Sequence, residues 1–86
     1  MYQLQLTKQA NKDAKKASAA GFKQKILELF EIIQINPYQT PPNYEKLVGD
    51  LSGAISRRIN IQHRLVYQVL EHEKVIKILR MWSHYE

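Results

Sequence analysis

The chain has 86 residues, 13 Lys and Arg against 8 Asp and Glu, a formal net charge of +5 and no cysteine. A domain this short buries only about 60% of the surface its unfolded chain exposes, so one core fits, and an apolar content of 44% supplies it while excluding a disordered chain. Disulfides and thiolate-bound zinc are excluded, no apolar run nears the ~20 residues of a membrane span, and Met1-Tyr2-Gln3-Leu4 does not read as a signal peptide; the expectation is a cytoplasmic single domain over residues 1–86 that meets a polyanion.

Tyr2, Leu4 and Leu6 alternate with Gln3 and Gln5, the period of a half-buried strand. Thr7 then offers a hydroxyl to cap a helix over Lys8 to Ala20. At 100° per residue, Lys8, Lys12, Lys15 and Lys16 fall on one side of that helix and Ala10, Ala14 and Ala17 on the other. Gly21, which tolerates positive φ, breaks it. A second helix follows over Phe22 to Ile35, with Phe22, Ile26, Leu29, Phe30 and Ile33 on its apolar stripe, and ends at Asn36-Pro37. The two helices form a hairpin.

Pro37 to Gly53 reads as one long loop, the kind of segment that often carries function. Three strand-like runs close the chain: Ile55 to Ile61, with Ile55, Arg57, Ile59 and Ile61 on one face and Ser56, Arg58 and Asn60 on the other; His63 to Leu70; and Lys74 to Trp82. Their short connectors imply antiparallel hairpins. The fold expected is α+β, in the order β-α-α-β-β-β, with a two-helix hairpin on one face of an antiparallel sheet and the other face open for function.

The residues that can move protons or hold anions gather in the second half. Arg57, Arg58, His63, Arg64, Arg80, His84 and Tyr85 lie on or beside the strands, and Glu45 sits in the preceding loop. His63, His72 and His84 have neither helical pairing nor a carboxylate cluster beside them, so no metal site and no cofactor is expected. Metal-free cleavage of RNA needs a base for the ribose 2′-hydroxyl, cations for the phosphate and an acid for the leaving 5′-oxygen. Glu or His can serve as base, Arg as phosphate ligand and His as acid. Residue types alone do not decide between this and a basic RNA-binding module.

An ordered set of strings carries more. Leu51-Ser52-Gly53-Ala54-Ile55-Ser56-Arg57-Arg58-Ile59, His63-Arg64-Leu65-Val66-Tyr67 and the closing His84-Tyr85 resemble the YoeB/Txe family, toxins of bacterial type II toxin–antitoxin systems within the RelE/ParE-like superfamily. The resemblance spans essentially the whole chain. It implies a RelE-like toxin fold and a ribosome-dependent, metal-independent mRNA endonuclease (an mRNA interferase) that cuts the message in the ribosomal A site. It also implies the roles: Glu45 as general base, Arg64 on the phosphate with Arg58 in support, His84 as general acid, and Tyr85 beside it stacking on a base or touching the phosphate. Two positions depart from the family pattern: Ile55 stands where a Trp is usual, and Val48 where a Lys often follows the Glu, with Lys46 nearby.

The lysine face of the first helix is expected to dock on ribosomal RNA. The resemblance further implies a cognate antitoxin of the YefM/Phd type, whose acidic segment would cover the Arg64–His84 surface, and contact with promoter DNA only through that complex; a homodimer remains open. The alternative from the same superfamily is a ParE-like toxin that binds DNA gyrase without cutting RNA, and the terminal His84-Tyr85 argues against it.

Overall fold

The computed structural model describes residues 1–49 and 53–82. In chain order the elements are β1 (Gln3–Leu6), α1 (Lys8–Ala19), α2 (Lys23–Ile35), β2 (Tyr44–Lys46), β3 (Ile55–Arg58), β4 (Arg64–Leu70) and β5 (Val75–Arg80). The strands form one sheet in the order β1-β5-β4-β3-β2. The meander β3-β4-β5 is antiparallel, as its short connectors require, and β2 adds to β3 antiparallel. β1 runs parallel to β5, because the α1–α2 hairpin carries the chain away from β1 before the sheet resumes. This is the expected α+β arrangement with one strand more than the sequence announced. None of the described helices is long and apolar enough to cross a membrane.

Local chemistry explains the helix boundaries. The Thr7 hydroxyl accepts from the Ala10 N–H at 3.1 Å and caps α1. At its other end the Gly21 N–H donates to the Ser18 carbonyl at 3.1 Å and the Phe22 N–H to the Ala17 carbonyl at 2.9 Å. That paired closure needs a left-handed residue between helix and exit, and Gly21 has φ +91°. α1 packs on β5 and β1 through the buried Ala10 and Ala17. α2 adds Ile26, Leu29 and Ile33 to the same core.

The strand registers divide the sheet into two faces. Leu65 faces Arg57, and Tyr67 faces both Ile55 and Ile78, on the side covered by the helices. Arg64 faces Arg58, and Val66 faces Ser56, which in turn faces Glu45, on the open side.

Arg57 is therefore a core residue, fully shielded from solvent. Its Nε donates to the Tyr67 hydroxyl at 2.9 Å, Nη1 to the Pro42 carbonyl at 2.6 Å, and Nη2 to the carbonyls of Pro37 and Gln39 at 3.0 and 2.8 Å. The guanidinium also lies 5.0 Å from the Tyr44 ring centre. One buried cation thus ties the 37–42 connection to the sheet, satisfying backbone carbonyls that the irregular chain leaves over. Burial pushes the Tyr67 hydroxyl's pKa up, and the Arg57 hydrogen bond partly offsets that.

A second tie reaches the same 37–42 connection from the turn between β4 and β5. Glu71, in the turn between β4 and β5, accepts from the hydroxyls of Tyr2 at 2.6 Å and Tyr38 at 2.7 Å. These bonds stabilise the ionised carboxylate, so Glu71 titrates below its ordinary range and Tyr38 is pushed up to about 12.

Candidate functional site

A cleft of about 620 Å³ lies at the β2–β3–β4 side of the sheet, where Glu45, Ser56, Arg58 and Arg64 line it together with Lys25 from α2 and with Asn60 and Ile61 near the strand ends. β2 brings Glu45 to this face by pairing it with Ser56, and β4 brings Arg64 there by pairing it with Arg58. The Arg64 Nη1 stands 3.8 Å from the Glu45 Oε1. Glu45 is 70% exposed at the rim, whereas Arg64 is 25% exposed and half sunk in the wall. Three cations, Lys25, Arg58 and Arg64, oppose one carboxylate. Such a cleft attracts an anion and carries a base at its edge.

Of the residues expected from the sequence, the structure brings Glu45, Arg58 and Arg64 together. Lys46 is exposed on β2 beside Glu45, paired with Ile55, and strand alternation turns it to the opposite face. Lys8, Lys12, Lys15 and Lys16 are all exposed on α1, on the far side of that helix from the buried alanines. They form a basic surface separate from the cleft, which none of them lines. His84 and Tyr85 lie outside the described residues.

Three features were not expected. Lys25 reaches the cleft from α2; nothing in its sequence neighbourhood ties it to β4. The Ser56 hydroxyl is buried on the cleft wall without a hydrogen-bond partner among the described residues. Ile61 was expected on one face with Ile55 and Ile59, which are buried, yet it is 89% exposed. β3 ends at Arg58, and the turn to β4, in which the Asn60 side chain accepts from the Gln62 and His63 backbone N–H groups, breaks the alternation.

The family described as "YoeB-like toxin of bacterial type II toxin-antitoxin system" matches residues 7–85. The chain belongs to this family. A curated relative, toxin YoeB of Mycobacterium bovis, is 39% identical over 62 residues, covering 72% of this chain and 71% of the relative. The YoeB/ParE toxin from Agrobacterium tumefaciens superposes with a TM-score of 0.88 at 27% identity, over 96% of this chain and 99% of that one. YoeB from Staphylococcus aureus, solved in complex with YefM, superposes with a TM-score of 0.83 at 35% identity over 99% of each chain, and its dimer with a TM-score of 0.81 over 98% of each. The YoeB-like fold and membership in a toxin–antitoxin family follow from these matches.

Proposed function

We propose that this YoeB-family protein is a ribosome-dependent mRNA endonuclease that cuts the message in the ribosomal A site and so stops translation. The observation that carries the proposal is the approach of Glu45 to Arg64 at 3.8 Å in a cleft that also holds Arg58. A base at the rim and two guanidinium groups in the wall suit a phosphodiester whose own 2′-hydroxyl is the nucleophile. Glu45 takes the 2′-hydroxyl proton. Arg64 and Arg58 hold the non-bridging oxygens as charge builds on phosphorus. The new bond joins the 2′-oxygen to phosphorus, and the bond from phosphorus to the 5′-oxygen breaks. His84 protonates that leaving oxygen, and Tyr85 stacks on a base or contacts the phosphate. The products are a 2′,3′-cyclic phosphate and a 5′-hydroxyl, with no net redox change and no added water.

The lysine face of α1 docks on ribosomal RNA while the cleft meets the message, which suits two separate basic surfaces. The protein acts in the cytoplasm, where ribosomes translate. By analogy with the S. aureus complex, its partner is a YefM/Phd-type antitoxin. An acidic antitoxin segment neutralises the cleft, and promoter DNA is met through that complex. Self-association, as in the S. aureus dimer, is part of the same reading.

Controlled expression followed by primer extension of a cellular message tests the proposal. Translation-dependent cuts should appear with the wild type and vanish with Glu45→Ala and His84→Ala. Growth arrest with intact messages and broken DNA would replace this reading with that of a gyrase-binding toxin.

A further inference from the structure

The end of β5 is pinned at two successive residues. Met81 is fully buried, and its backbone N–H donates to the Asp13 Oδ2 at 3.1 Å. Asp13 is itself 3% exposed on α1, with its Oδ1 accepting from Gln9 at 2.9 Å. Trp82 then lays its indole on the His63 imidazole, with ring centres 4.0 Å apart and planes 17° from parallel. Phe22, between the two helices, closes the edge of this stack at 6.0 Å from His63 and 6.4 Å from Trp82. The His63 Nδ1 is buried and has no hydrogen-bond partner among the described residues. The ring contacts, and not that nitrogen, hold the imidazole among the described residues.

We infer that His63 is a positioning residue for the C-terminal acid, its imidazole serving as the shelf on which Trp82 rests. His84 follows Trp82 by two residues. Consecutive Cα atoms are about 3.8 Å apart, so a two-residue tether is short. Fixing Trp82 therefore confines where the imidazole of His84 can be delivered. Removing the shelf leaves the covalent tether but frees its anchor, and misplacing a catalytic group by about 1 Å can lower a rate about 100-fold. The inference rests on the reading of His84 as the acid. It assigns His63 no proton transfer, and predicts that an apolar ring can replace it.

Trp82 is the chain's one tryptophan, so its fluorescence reports on the stack alone. The experiment compares wild type, His63→Ala, His63→Phe, Trp82→Phe and His84→Ala, by intrinsic emission where Trp82 is present and by cleavage of a defined message on programmed ribosomes. His63→Ala should shift emission to longer wavelength and lower kcat about 10- to 100-fold at unchanged KM for the programmed ribosome. His63→Phe and Trp82→Phe, which keep two stacked rings, should cleave like wild type. If His63→Phe is as impaired as His63→Ala, the imidazole nitrogens matter and the shelf is overturned. Wild-type emission or wild-type cleavage in His63→Ala overturns it as well. Full cleavage by His84→Ala would instead remove the catalytic reading on which the shelf depends, so the two failures are distinct.

Discussion

The Glu45 carboxylate and the Arg64 guanidinium, separated in sequence by all of β3, meet at 3.8 Å because β2 and β4 flank that strand and present the two residues on the same face. The pair spans the difference between rim and wall: Glu45 is 70% exposed and Arg64 25%. An ion pair with so exposed a partner contributes at most about 1 kcal/mol to stability. On the proposed reading, its value lies in placing a base beside a phosphate ligand.

Glu45→Gln should therefore separate activity from stability. The amide keeps the shape of the side chain and loses the base. Cleavage on programmed ribosomes should fall about 100- to 10,000-fold, the usual contribution of a positioned base. Chemical denaturation should move by no more than about 1 kcal/mol. A large loss of stability would show the pair to be a structural tie.

Arg57 should behave in the opposite way. Arg57→Met leaves the carbonyls of Gln39 and Pro42 without the donor they now use, while the Pro37 carbonyl and the Tyr67 hydroxyl keep only each other. Each buried group left unsatisfied costs about 1–3 kcal/mol, so urea denaturation should reveal a loss of several kcal/mol. Tyr67→Phe removes a single hydroxyl, which also donates to the Pro37 carbonyl at 2.6 Å, and should cost about 1–3 kcal/mol.

How far these roles could be read from the sequence differs residue by residue. The Thr7 cap, the Gly21 break and the lysine face of α1 follow from rules that span a few residues, and each appears as expected. Alternation correctly placed Arg57 on the isoleucine face of β3. It could not show what the guanidinium does there, because three of its partners are backbone carbonyls, which carry no side-chain signature. β2 was hidden for a related reason. Tyr44-Glu45-Lys46 is too short for a period and becomes a strand only by pairing with β3. Asp13, within a lysine-rich helix, gave no hint of its bond to Met81, 68 residues away. For the cleft, the family resemblance supplied Glu45, Arg58 and Arg64, while Lys25 arrives from another element by tertiary packing alone.

Lys25 should make its own mark on RNA binding. With Arg58 and Arg64 engaged on the scissile phosphate, the third cation is left for an adjacent one. Lys25→Ala should weaken binding of a short single-stranded RNA and flatten the plot of log affinity against log salt by about 0.7, the slope per phosphate for a single strand. An unchanged slope would remove Lys25 from the RNA path.

Glu71 predicts a pH signature in folding. Its folded-state pKa is depressed, chiefly by the hydrogen bonds from Tyr2 and Tyr38, so its contribution is present above the ordinary carboxylate range and is lost as pH falls through the lowered folded value. Tyr38, raised to about 12, has the opposite sign: its contribution holds below its ordinary value of 10.0 and is lost as pH rises through about 12. Melting temperatures of wild type and Glu71→Gln should therefore differ at neutral pH and converge in acid. A gap that persists at low pH would show that the ionised carboxylate is not what holds the two tyrosines.

The chemistry itself is tested most directly by removing the nucleophile from the substrate. A message carrying one 2′-deoxynucleotide on the 5′ side of the cleavage position can still enter the A site, but it has no hydroxyl for Glu45 to activate. On ribosomes programmed with that message the protein should leave it intact, while the all-ribose control is cut to a fragment with a 5′-hydroxyl. Cleavage of the deoxy-substituted message at the same position, at the control rate, would contradict attack by the 2′-oxygen and with it the role assigned to Glu45.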